Sequence, residues 1–119
     1  VKVRFHFDAA HRLEEYSGKC EEVHGHRWEV VVCLKAEETD SLGIAYDFNK
    51  LRSELSPLFD ELDHTNLNNS TRFGGRNLTA EEIARMVYSY AQDRFASDVV
   101  TEKPQNPCTS WVPGFAFIW

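Results

Sequence analysis

The chain has 119 residues, 42% of them hydrophobic and 13% aromatic, and a formal net charge of −6. That length suits one domain, residues 1–119, with an ample core and no room for a second. The acidic balance speaks against a nucleic-acid binder, which carries a basic stripe, and no apolar run of about 18 residues exists to cross a membrane. Three widely spaced cysteines make no disulfide framework, so a reducing, cytoplasmic setting is expected, with no leader segment.

Val1 to Asp8 alternates strictly, with apolar residues at 1, 3, 5 and 7. This is the pattern of a half-buried antiparallel strand. Ala9 and Ala10 continue it with small side chains that leave space for a ligand or metal, and His11 closes it. Arg12 to Lys19 is a polar connection. The stretch Cys20-Glu21-Glu22-Val23-His24-Gly25-His26 then opens a second strand, expected over Arg27 to Glu38, whose even positions from Trp28 to Ala36 are apolar. Connection-length priors make the two strands an antiparallel pair with an elaborated loop of about 15 residues.

His24 and His26 are two apart, so on an extended backbone both imidazoles project to one face, with Gly25 between them presenting no side chain to obstruct the pair. The alternative is two surface histidines on a strand. With His11 at the end of the neighbouring strand, a three-imidazole site with an open fourth position is expected, and zinc suits that donor set. Cys20 has two readings: a fourth ligand closing a structural site, or a base whose thiolate is favoured by a nearby cation. Cys33 and Cys108 read as a core residue and a tail residue.

Glu37 to Gly43 is acidic and breaks structure. Asp47 resembles a helix N-cap. From there Phe48, Leu51, Leu55, Leu58, Phe59 and Leu62 recur at helical spacing, with Pro57 predicting a break or kink near Ser56. Asp63 and His64 follow in a dense polar turn, where the alternative to an Asp–His dyad, which needs the turn to fold one onto the other, is a histidine favourably placed at a helix C-terminus. Ser70 to Asn77, with Gly74-Gly75 between Arg72 and Arg76, reads as a mobile solvated loop or a phosphate cradle. Thr79 to Glu82 has the spacing of a capping box. Ile83, Met86, Val87, Tyr90, Ala91 and Phe95 give the helix after it one apolar side. Val99 to Glu102 is a short strand candidate, and the aromatic tail, with Pro113-Gly114 able to turn a hairpin, offers a last one. The order predicts an α+β fold, with helices on one face of an antiparallel sheet whose free edges favour a homo-oligomer.

Five stretches, in order, resemble the motifs of the 6-pyruvoyltetrahydropterin synthase family, which includes the 6-carboxy-tetrahydropterin synthases of queuosine biosynthesis. They are Phe5 to His11, Cys20 to His26, Gly43 to Phe48, Leu62 to Asn68, and Leu78 to Ala84. The resemblance covers roughly Val1 to Ala96 and implies the tunnelling fold (T-fold): a four-stranded antiparallel sheet with two helices on one face, closing with its neighbours into an oligomeric barrel, usually a hexamer of two trimers. It further implies that His11, His24 and His26 bind Zn2+, that Cys20 is the general base, and that Asp63 and His64 relay protons. Thr79 and Glu81 would contact the substrate, 7,8-dihydroneopterin triphosphate. A cysteine four positions before the first histidine of His-Gly-His resembles the carboxy-type enzymes, which release triphosphate and acetaldehyde. Glu21 after that cysteine resembles a subgroup forming 6-hydroxymethyl-dihydropterin for folate, or is a surface carboxylate. The family's pterin-anchoring glutamate stands before Thr-Pro; here Val100-Thr101-Glu102-Lys103-Pro104 is the nearest match and makes Glu102 the candidate anchor. The tail, 105–119, departs from the family, by divergence or by a reading-frame change. Loss of the anchor would leave a catalytically inactive zinc-binding oligomer as the alternative.

Overall fold

The computed structural model describes residues 1–15, 17–18 and 21–95, and the backbone of 117–118. The elements run β1 (Lys2–His11), β2 (His24–Cys33), α1 (Phe48–Leu62), β3 (Thr65–Asn66), α2 (Ala80–Phe95) and β4 (Phe117–Ile118). The strand order in the sheet is β3-β1-β2-β4.

Alternation in β1 does what the sequence pattern requires. Val3, Phe5, Phe7 and Ala9 are buried, and their antiparallel partners include Val32, Val30 and Trp28, also buried. The opposite face is polar: Arg27 holds both carboxylate oxygens of Asp8, at 2.9 and 3.0 Å, and Arg4 lies 3.8 Å from Glu29. β2 begins three residues before the expected start at Arg27, so the histidines belong to the strand itself. Gly25 points to the outer face, where an added Cβ would meet nothing within 4 Å, so its missing side chain is not what lets the histidines meet.

Asp47 caps α1 by accepting from the backbone N–H groups of Asn49 and Lys50. Leu51, Leu55, Leu58, Phe59 and Leu62 pack onto the buried face of the sheet, with Phe59 stacked on Phe5 at a centroid distance of 4.4 Å. The helix runs unbroken through Pro57, against the break expected near Ser56. Pro57 itself is exposed while Leu55, Leu58 and Phe59 around it are buried, so packing holds the turn that the missing N–H weakens. Phe48, the first residue of the helical apolar series, is instead 56% exposed.

The sheet is not wholly antiparallel. β3 runs parallel to β1, pairing Ala9 with Thr65 and Ala10 with Asn66, whereas β4 pairs antiparallel with Val30 and Val31 of β2. The strand candidate at Val99 to Glu102 lies outside the described residues.

Ser70 to Asn77 is anchored, in contrast to the expected mobile loop. Phe73 is buried, Arg72 grips Glu61 with two hydrogen bonds of 2.8 and 2.6 Å, and Arg76 sits 3.1 Å from Glu82. Both guanidinium groups therefore face carboxylates of the chain, which removes the phosphate-cradle reading. In α2, Ile83, Ala84, Met86, Val87 and Ala91 are buried, and Tyr90 and Phe95 pack against the same core. No described helix is long and apolar enough to cross a membrane.

Candidate metal centre

The strand register assembles the site. His11 lies directly opposite His24 in the β1–β2 ladder, and Ala9 lies opposite His26. All three imidazoles stand on the core-facing side, at the end of the sheet where the large apolar residues stop. Ring centroids are 4.6 Å apart for His11 and His24, 5.2 Å for His11 and His26, and 4.6 Å for His24 and His26. One ligand nitrogen from each lies within 4.8 Å of the others. Bound zinc with bonds of roughly 2.0–2.1 Å brings its nitrogens to about 3.3–3.4 Å, a small inward rotation from this arrangement. The small side chain of Ala9 beneath His26 leaves room for that movement.

Hydrogen bonds commit one nitrogen of His11 and one of His24. Nδ1 of His11 donates to the carbonyl oxygen of Leu78 at 2.8 Å, and Nδ1 of His24 donates to the carbonyl oxygen of Glu22 at 2.7 Å. Each bond fixes a tautomer whose Nε2 keeps its lone pair, as a metal-ligating histidine requires. His11 is the one buried polar side chain among the described residues, and its Nε2 has no hydrogen-bond partner. An orphaned buried acceptor beside two further imidazoles is the feature a cation would satisfy. Burial pushes the His11 imidazole below its ordinary range; the bond to Leu78 opposes it, and the positive charges His24 and His26 would carry add a smaller lowering. His26 is lowered by burial and then by His24. Both effects favour the neutral ligand form.

Trp28 forms the inner wall. Its ring meets His11 edge-on at 5.0 Å and His26 at 5.5 Å, and it stacks on Phe7 toward the core at 6.2 Å. Sequence reasoning counted Trp28 only as a strand residue; its place two positions after His26, on the same face, is the signal that places it here.

Asp63 and His64 do fold onto each other. The backbone turns at His64, which takes a positive φ of 56°, and His64 Nδ1 lies 2.8 Å from the second carboxylate oxygen of Asp63. The first oxygen accepts the backbone N–H of Asp8 at 2.8 Å, and the His64 N–H donates to the Asp8 carbonyl at 2.6 Å. The dyad is thus pinned to the polar parity of β1, three residues before His11. The Asp8 N–H bond is the first cause holding the Asp63 carboxyl below its usual range, followed among the lowering causes by the bond to His64. Thr79 caps α2, its hydroxyl accepting the Glu82 N–H at 3.3 Å, while the Glu82 carboxylate faces Arg76 and Arg85 at 3.1 Å. Glu81 is exposed in the first turn of α2. Cys20, Glu102 and Cys108 lie outside the described residues; Cys33 is buried as expected.

Comparison with known proteins bears on the same residues. The family model for 6-pyruvoyl tetrahydropterin synthase matches residues 1–111. A Synechocystis protein named 6-carboxy-5,6,7,8-tetrahydropterin synthase is 31% identical over 111 residues, covering 89% of this chain and 84% of its own. A Rickettsia conorii protein of the same name is 38% identical over 63 residues, covering 52% of this chain and 46% of that one. Among solved structures, Caenorhabditis elegans 6-pyruvoyl tetrahydropterin synthase superposes with a TM-score of 0.76 at 28% identity, over 100% of this chain and 92% of that one.

Proposed function

Since the chain belongs to the 6-pyruvoyl tetrahydropterin synthase family and is an enzyme of it, we propose that it is a zinc-dependent pterin lyase of the carboxy type. Its reaction converts 7,8-dihydroneopterin triphosphate, with one water, to 6-carboxy-5,6,7,8-tetrahydropterin, triphosphate and acetaldehyde, a step toward queuosine. The observation that carries this reading is the three-histidine cluster with the orphaned Nε2 of His11 at its buried end. The names of the Synechocystis and Rickettsia relatives support the carboxy branch.

In this reading His11 and His24, each through Nε2, and His26 would hold the metal, and zinc would supply Lewis acidity toward substrate oxygen. Cys20, four residues before His24, takes a proton from the substrate side-chain carbon. Asp63 fixes Nδ1 of His64, leaving Nε2 to exchange a proton with the substrate. Thr79, Glu81 and Glu102 bind the substrate, Glu102 anchoring the pterin ring. Residues 1–119 act as one domain in a cytoplasmic homohexamer, a dimer of trimers whose sheets close into the T-fold barrel. A second reading, with a 6-pyruvoyl product, is favoured by the likeness to the C. elegans enzyme, and Glu21 favours a hydroxymethyl product.

Incubating the purified protein with 7,8-dihydroneopterin triphosphate and identifying products by mass spectrometry tests the proposal. Carboxytetrahydropterin with acetaldehyde is the expected result. A pyruvoyl or hydroxymethyl product would move the branch, and unconsumed substrate with zinc bound would leave an inactive zinc-binding oligomer.

A further inference from the structure

The segment after His11 is held in an unusual way. Beyond the end of β1 the chain has no strand partner on the β3 side among the described residues, yet it keeps paired backbone groups there. The side chain of Asn68 takes the place of one: its oxygen accepts the Arg12 N–H at 2.9 Å and its nitrogen donates to the Arg12 carbonyl at 3.2 Å. Asn77 does the same two residues on, accepting the Glu14 N–H at 2.9 Å and donating to the Glu14 carbonyl at 3.1 Å. The spacing of two is that of a strand edge, so the two amides continue the ladder that β3 begins at Ala9 and Ala10. A primary amide carries one acceptor and two donors on one planar head, which is what both groups of a single backbone residue need.

The same connection between α1 and α2 also orients the imidazole. Leu78, next to Asn77, supplies the carbonyl that fixes Nδ1 of His11. His11 is therefore set from three points on one segment: its ring by Leu78, and the backbone after it by Asn68 and Asn77. We infer that Asn68 and Asn77 are positioning residues for the metal centre, clamping the backbone beyond His11 so that its Nε2 is aimed at the ion shared with His24 and His26. The inference rests on the three-histidine ligand set. Neither asparagine touches the metal or the substrate in this account. Loss of a group hydrogen-bonded to a metal ligand weakens binding by roughly 10–100-fold, and a clamp on the backbone just beyond the ligand is expected at the low end of that range.

The test measures zinc affinity of the 119-residue chain by chelator competition, for wild type, Asn68→Ala, Asn77→Ala, and the near-isosteric Asn68→Asp and Asn77→Asp. Metal-free melting temperature and the visible spectrum of the cobalt-loaded protein are followed alongside. Zinc binding should weaken about tenfold in each alanine variant, at temperatures well below melting, with a changed cobalt spectrum. The aspartates keep the acceptor for the backbone N–H but set a carboxylate oxygen, which accepts only, against the Arg12 or Glu14 carbonyl, so their affinities should fall as well. They also carry the test if an alanine variant fails to fold. Wild-type zinc binding with every folded variant within about twofold of it, and an unchanged cobalt spectrum, would overturn the clamp alone. A wild type that binds no zinc would overturn the ligand set and the clamp with it.

Discussion

At the scale of the residue, His11 is the most constrained member of the histidine cluster. Its ring is buried, one nitrogen is committed to Leu78, and the other is left without a partner. Burial lowers its pKa, and that of His26, below the ordinary value of 6.5. Between the lowered folded values and 6.5 the unfolded chain binds more protons than the folded one. Stability from these two groups is therefore fully present above 6.5 and is lost as pH falls through the folded values. Asp8 and Asp63 are held below 3.8, so they act only at more acid pH. The urea midpoint of the metal-free protein should fall between about pH 7 and pH 5, and the fall should shrink in His11→Gln. An identical pH dependence in that variant would contradict the buried, neutral imidazole. Much at this scale was legible: a pair of histidines two apart must share a strand face, and His11 ends the neighbouring strand. The Leu78 carbonyl was not, because every residue carries one and only the tertiary fold selects which faces the ring. Asn68 and Asn77 escaped for a related reason, since an asparagine in a polar turn has the same sequence signal whether it binds water or a distant backbone.

At the scale of the element, periodicity was informative where one face is buried along its whole length. The alternation from Val3 to Phe7 and the helical spacing from Leu51 to Leu62 both mark faces that the structure buries, whereas Val1, counted in the same alternation, is exposed ahead of the strand. Two features failed to show. β3 is two residues long, too short for any period, and it exists because the Asp63–His64 turn is tied to Asp8. Pro57 carries a local helix-breaking signal that packing by Leu55, Leu58 and Phe59 overrides. The override has a measurable cost. A helix-interior proline is roughly 3 kcal/mol less favourable than alanine, and Pro57 is exposed, so Pro57→Ala leaves no cavity. That variant should be more stable by about 1–3 kcal/mol in urea unfolding, with zinc content unchanged. Unchanged or reduced stability would show that the ring makes a contact worth its missing N–H.

At the scale of the whole molecule, the core and the site are one construction. Phe7, Trp28 and Phe59 fill the middle of the sheet's inner face, and the same face ends in the imidazole cluster. The α1–α2 connection closes that end, bringing Asp63 and His64, Asn68, Asn77 and Leu78 to the last residues of β1 and those just after it. The register that buries the apolar residues is thus the register that opposes His11 to His24, and a one-residue slip would turn the histidines of β2 to the other face. The central claim is that this register builds a centre for one zinc per chain. The most direct measurement is metal content of the purified protein by elemental analysis after zinc loading and desalting, compared with His24→Ala. The account predicts one zinc per chain in the wild type and a large loss in the variant, with the circular dichroism spectrum unchanged. A wild type without zinc, or a folded His24→Ala that keeps a full equivalent, would contradict it.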